Sequence, residues 1–242
     1  MKRLGNITIW CFGFVLLIVL IRQPIGGPVS TWSSWSLPLA GKTVVLDPGH
    51  GGPDGGAVGK DQTLEKGITL KVAKMLQSYL QQTGATVYLT RERDMDLADA
   101  DTKGLARRKA EDIRNRLKMI ENKQADLFIS IHLNALPSTK WSGAQTFYYP
   151  KSDKSEHLAK MIQAEIIRNL ENTDRTALPL TGMYLLKHAK APGALVEIGF
   201  LSNVQERELL KKKDYQEKMA ASIYEGILRY ATEDIPKDEK KK

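Results

Sequence analysis

At 242 residues, with 42% hydrophobic and 26% charged residues, the chain has the make-up of one ordinary globular domain. Two large domains, a disordered chain and a multi-span membrane protein are excluded. The formal charge of +8 raises nucleic acid as a partner, but the basic residues are spread out, without zinc-finger or RNP-like patterns. No nucleic acid is expected; a solvated basic face, or attraction to anionic wall polymers or lipid head groups, accounts for the charge.

In chain order, Ile7 to Ile21 is an almost unbroken apolar run of 15 residues, preceded by Lys2 and Arg3 and stopped by Arg22. A spanning helix needs about 20 apolar residues, so residues 1–23 read as a membrane-targeting segment, either a signal peptide or a minimal anchor. No small-x-small cleavage site follows, which favours the anchor. Either way the basic end stays inside and the body is exported across a bacterial cytoplasmic membrane, to remain membrane-anchored or be secreted. The single cysteine, Cys11, lies in the apolar run, so the exported body has no disulfide and fits a bacterial envelope protein. Residues 24–41, rich in Gly, Pro, Ser and Trp, read as a linker.

Thr43 to Leu46 predicts a strand. Leu64, Ile68, Val72, Leu76 and Leu80 have helical spacing, closed by Gly84. A strand over Thr86–Thr90, a helix over Leu105–Asn122 and an apolar strand over Leu127–His132 follow. Ala144–Tyr149 and Met183–Lys187 read as strands with a helix from Ser155 to Leu170 between them. Ala194–Ile198 reads as the last strand, and Val204–Leu210 and Tyr215–Tyr230 as closing helices. This alternation predicts a single α/β domain over residues 42–232, a mostly parallel twisted sheet with helices on both faces. Residues 233–242 form a charged tail, expected to be mobile.

The segment VVLDPGHGGPDGGAVG (Val44 to Gly59) delivers Asp47 and His50 into a loop with six glycines, too poor in side chains for packing and free enough in backbone to shape a site. In open α/β sheets ligands gather at the carboxyl ends of strands. That rule brings together Asp47, His50, His132, Asn134 and Glu197; His157 and His188 read as surface residues. Two histidines at strand ends are half a zinc site. Glu65, opening the helix after the glycine loop, either complements the helix dipole or supplies a third ligand. Glu197 interrupts an apolar strand, and burying a carboxylate without a partner is costly, so it reads as a structural ion-pair member or as a general base near a metal-bound water. Asp47 and Asn134 are candidates for orienting imidazoles or substrate.

The blocks VVLDPGHGGPDGGAVG, LEKG, DLFISIHLNA, SGAQTFYY and LVEIGFLSN, in this order, resemble the zinc-dependent N-acetylmuramoyl-L-alanine amidases of the type 3 family, over about Lys42 to Tyr230. The short chain with an N-terminal apolar segment is most similar to the sporulation and germination-specific members from spore-forming bacteria. The resemblance implies one zinc held by His50, Glu65 and His132, with Glu197 as the catalytic carboxylate. It implies a peptidoglycan substrate, cleavage between N-acetylmuramic acid and L-alanine, and a part in spore-cortex maturation by way of muramic δ-lactam, needed for germination. Gly51, Gly52, Gly55 and Gly56 would admit the glycan strand close to the backbone. The loop Leu136–Trp141 and the stretch Arg175–Gly182 follow no strong common pattern. The sequence leaves an accessory protein open. Two other readings are an inert peptidoglycan-binding scaffold on the same fold, which loss of a site residue would favour, and a glycosidase using Asp47 and Glu65, which leaves both histidines unexplained.

Overall fold

The computed structural model describes residues 37–235, together with Phe14 alone in the N-terminal segment. The expected membrane-targeting run and nearly all of the linker lie outside the described residues. Among the described residues no helix is long and apolar enough to cross a membrane.

The elements are β1 Thr43–Pro48, α1 Glu65–Gln82, β2 Thr86–Leu89, α2 Leu105–Asn122, β3 Leu127–Asn134, β4 Gln145–Tyr148, α3 Asp153–Leu170, β5 Leu178–Pro179, α4 Tyr184–His188, β6 Gly193–Phe200, α5 Val204–Leu210 and α6 Lys213–Thr232. They build one six-stranded sheet in the order β2-β1-β3-β6-β4-β5. Strands β2, β1, β3 and β6 run parallel. β4 is antiparallel to β6 and carries β5 parallel to itself at the edge. The mostly parallel α/β architecture expected from the sequence is the one observed.

Side chains alternate across the sheet, and the two faces are unequally covered. Val44 and Leu46 of β1, Ile129 and Ile131 of β3, and Val196 and Ile198 of β6 enter the larger core, with Leu76 and Leu80 of α1, Ile162 and Ile166 of α3, and Ile223 and Ile227 of α6. Each such buried aliphatic side chain contributes about 1.5–3 kcal/mol. α3 and α6 approach closely because Gly226 has no side chain: a Cβ there would sit 2.4 Å from Ile162 Cα. The opposite face holds a smaller core of Val45, Phe128 and Leu195 under Ile120 of α2 and Leu185 and Leu186 of α4. The same alternation turns Asp47, Ser130, His132, Glu197 and Gln145 toward this thinly covered face.

Three expectations need correction. Met183–Lys187 is not a strand: Tyr184–His188 forms the short helix α4, and the edge of the sheet is taken by β5. Leu185 and Leu186 are both buried, so this stretch has no period-2 alternation, and Tyr184 stacks on His188 one turn on at 4.5 Å. β1 runs on to Pro48, so Asp47 lies within the strand, paired in register with Ser130, rather than in the loop. His157 is not a surface residue: it is buried, its ring lies 5.7 Å from that of Tyr230, and its Nε2 is 3.1 Å from the carbonyl oxygen of Glu233. It ties α3 to the end of α6. His188 is exposed, as expected.

Candidate metal centre

Three chain segments meet at the carboxyl rim of β1, β3 and β6. His50 follows β1 and has φ 62°, a left-handed conformation that costs a non-glycine residue of order 1 kcal/mol or more and persists only where its surroundings impose it. Two buried arginines impose it. Arg116 of α2 donates to the carbonyls of Pro48 (2.8 Å) and His50 (2.6 Å). Arg91, just beyond β2, donates to those of Pro48 (3.0 Å) and Gly49 (2.9 Å). Beyond the histidine, Gly51 and Asp54 exchange both backbone hydrogen bonds, and Asp54 Oδ2 lies 2.7 Å from His50 Nδ1.

Glu65, the first residue of α1, is almost fully buried and anchored by backbone donors: Leu133 N–H reaches Oε1 at 2.8 Å and Ala57 N–H reaches Oε2 at 2.6 Å. Its Oε1 lies 3.0 Å from His132 Nδ1 and its Oε2 lies 3.2 Å from His50 Nε2. The two imidazole rings meet edge to face, with centroids 5.1 Å apart. Ligand atoms of His50, Glu65 and His132 lie within 4.8 Å of one another, a donor set suited to one metal ion. Glycines make the room. A Cβ at Gly49 would fall 2.3 Å from the His132 ring, and one at Gly56 would fall 2.4 Å from Glu65 Oε2.

Electrostatics follow from this packing. Burial works to raise the Glu65 pKa, but hydrogen bonds and charge from His132 and His50 outweigh it and hold the carboxyl below the usual range. Burial opposes protonation of His50, yet Glu65 and Asp54 raise its pKa. Glu197 is directly opposite His132 in the β3–β6 register. Its Oε2 is buried with no hydrogen-bond partner, and burial pushes its pKa up to about 7, only partly relieved by His132. A carboxyl so placed is poised to take up and give back a proton near neutrality.

Asp47 touches neither imidazole. It accepts from Ser130 (2.6 Å), Thr90 (2.7 Å) and Arg116 (2.7 Å), so it reaches His50 only through the guanidinium. Burial acts to raise its pKa, and the Arg116 charge with the hydroxyl bonds brings it below the ordinary aspartate value. The Asn134 side chain lines the cleft beside Glu197. Asp54, Arg91 and Arg116 were not foreseen. Arg116 had a legible signal: it falls on the same helix stripe as Ile113 and Ile120, where a cation must have a buried partner.

The fold and this cluster are those of a hydrolase with a His–Glu–His centre and an adjacent free carboxylate. Residues 44–229 match the N-acetylmuramoyl-L-alanine amidase family, and the chain belongs to it, a peptidoglycan amidase. It is 57% identical over 221 residues to the germination-specific N-acetylmuramoyl-L-alanine amidase of Bacillus subtilis, covering 91% of this chain and 92% of that protein. It is 33% identical to the N-acetylmuramoyl-L-alanine amidase LytC of the same organism over 80% of this chain and 36% of that one. Among solved structures, the CwlD amidase of Clostridioides difficile in complex with the GerS lipoprotein superposes with a TM-score of 0.78 at 42% identity, covering 80% of this chain and all of that one.

Proposed function

We propose that this amidase cleaves the bond between the lactyl group of N-acetylmuramic acid and L-alanine with one zinc ion held by His50, Glu65 and His132, Glu197 acting as the catalytic carboxylate. The observation that carries the reading is the unpartnered, buried Glu197 Oε2 set beside a three-ligand cluster. Neutral imidazoles and a carboxylate at this spacing are the donor set zinc prefers, with a position left for water or substrate. Zinc, when bound, supplies Lewis-acid polarisation and a more acidic water.

The residues of the chain do the rest. Leu133 and Ala57 fix both oxygens of Glu65, and Asp54 fixes the His50 ring, so the ligands are held before any ion arrives. Glu197 takes the proton of the attacking water and passes it to the departing amine, two steps served by one carboxyl whose pKa lies near neutrality. Its place in the strand row beside His132 keeps it within the site without making it a fourth ligand.

The 57% identity to a germination-specific amidase supports a role in germination, which we read as spore-cortex maturation by way of muramic δ-lactam. On this reading residues 1–23 hold the enzyme to the membrane, residues 24–41 tether it, and residues 42–232 act at the envelope of the forespore. The structural neighbour in complex with a lipoprotein supports an accessory protein here as well.

Digestion of purified peptidoglycan by the zinc-loaded chain, followed by mass analysis, tests the bond. New L-alanine amino termini on intact glycan strands are expected; new reducing ends would overturn the assignment. Stoichiometric zinc should be lost in His132→Ala, and a lytic protein without metal would refute the zinc centre.

A further inference from the structure

Beyond Glu197, away from the histidines, lies a cleft of about 240 Å³ that none of His50, Glu65 and His132 lines. Its polar lining is Asn134, Gln145, Arg175 and Glu197, and its apolar walls include Trp141 and Phe200. We propose that this cleft binds the peptide leaving group, and that Arg175 there recognises a free carboxylate on the residue following L-alanine. The proposal rests on the amidase reading above.

The register of the sheet gives the direction. Glu197 is paired on one side with His132 of β3 and on the other with Gln145 of β4. Directly paired residues share a face, so His132, Glu197 and Gln145 form one row across three strands. Glu197 returns its proton to the nitrogen that leaves, so the leaving peptide lies on the Glu197 side of the row and the sugar on the side of the histidines and the glycine loop. Strands are spaced about 4.8 Å apart and an extended peptide advances about 3.3 Å per residue. The residue after L-alanine therefore comes abreast of Gln145 and Arg175.

The cleft is equipped for a peptide. The Gln145 side chain donates through Nε2 to the Thr176 carbonyl at 3.1 Å, which leaves its amide oxygen as an acceptor for a substrate N–H. Arg175 is held for use. One arm donates to the Gly143 carbonyl at 2.6 Å, and the guanidinium lies over Phe200 at 5.4 Å and Trp141 at 5.9 Å. Aromatic faces and a single backbone tie fix the plane of the guanidinium while its other donors stay available. Among the described residues it forms no ion pair with a carboxylate. Glu206, whose carboxyl feels the Arg175 charge, already accepts from Gly143 N–H and Phe200 N–H, both at 2.8 Å. An oriented arginine without its own anion, in a cleft shared with the catalytic carboxylate, calls for a carboxylate from the substrate.

The test uses the full-length zinc-loaded chain and two synthetic muramoyl peptides that differ only in having a carboxylate or a carboxamide on the residue after L-alanine. The wild type should favour the carboxylate by about tenfold or more, chiefly in KM, the scale of one charge-assisted hydrogen bond. In Arg175→Gln that preference should fall toward one, and Arg175→Lys should restore part of it. A wild type that does not distinguish the two peptides overturns the proposal without any variant. Equal loss on both peptides in Arg175→Gln also overturns it, since that is what a purely structural tie to Gly143 would give. Hydrolysis of neither peptide by wild-type chain with bound zinc would instead sink the amidase reading on which the proposal stands.

Discussion

Replacing Arg116 by methionine would test whether the ground beneath the metal centre is electrostatic. Methionine replaces the aliphatic stem of the arginine but not its guanidinium, and so removes five donations: to Asp47 (2.7 Å), Asp112 (2.9 Å), the Pro48 carbonyl (2.8 Å), the His50 carbonyl (2.6 Å) and the Thr90 hydroxyl (3.4 Å). The arginine side chain is 2% exposed and that of Asp47 1%, so water cannot substitute. Breaking a buried pair from one side costs about 3–5 kcal/mol because the remaining charge stays desolvated. Asp47 keeps Ser130 and Thr90, which places the expected loss near the middle, about 4 kcal/mol. For a domain of this size that lowers Tm by roughly 8–16 °C.

Urea denaturation of the metal-free protein at pH 7 reads this loss. Asp47 has a folded pKa below its ordinary value of 3.8, so the stability it contributes is present above that value and disappears as pH falls through the folded one. The deficit of Arg116→Met should accordingly shrink in acid. Asp47→Asn combined with Arg116→Met should cost clearly less than the sum of the two single changes. A single-variant loss under about 1 kcal/mol, or strict additivity in the cycle, would refute the claim that this pair supports the loop.

Glu197→Gln should keep zinc and lose turnover by about 10²–10⁴-fold, the usual weight of a general base. The same variant has a stability signature without metal. The Glu197 pKa is raised from 4.5 to about 7, so the folded state binds the extra proton and wild-type stability falls as pH rises through that window. Glu197→Gln should therefore be more stable than wild type at pH 8 by roughly 2–3 kcal/mol and not at pH 4, as denaturant titrations would show. Asp54→Asn, which weakens the hold on His50 Nδ1, should reduce zinc affinity about 10–100-fold in a chelator competition; unchanged affinity would remove Asp54 from the support of the site. Gly56→Ala brings a Cβ to within 2.6 Å of the His50 ring at φ 71°, and should abolish zinc binding while far-ultraviolet circular dichroism stays native. Loss of the whole fold would show the strain to be global.

Much of this was legible because the responsible signals are local. The glycine loop, the apolar run ending in His132 and the charge interrupting β6 each follow from period and composition, and the rim rule brings them together. The illegible parts depend on pairing between distant residues. Met183–Lys187 has the residue types of a strand, but burial of two adjacent leucines decides for α4. His157 follows a polar helix start, and only the return of α6 across it makes it interior. Asp47 reads from sequence as a supporting residue, but its partner Arg116 lies 69 positions away, so the means of support is invisible until the chain is folded.

The reversal of β4 explains why the loops that resisted reading from sequence bear on specificity. Because β4 runs against β6, its first residue, Gln145, arrives at the same rim where β3 and β6 end, and the segments before β4 and before β5 are brought there with it. Their conformations are locked together at Gly143, whose φ is 88° and where a Cβ would strike the Asn172 carbonyl oxygen at 2.4 Å. Asn203 donates to the Thr139 carbonyl at 2.9 Å, tying the first loop to the turn after β6. The antiparallel addition extends the row from the histidines toward Trp141 and Arg175, so on the proposed reading substrate selection can change in those loops while His50 after β1, His132 on β3 and Glu65 on α1 stay fixed.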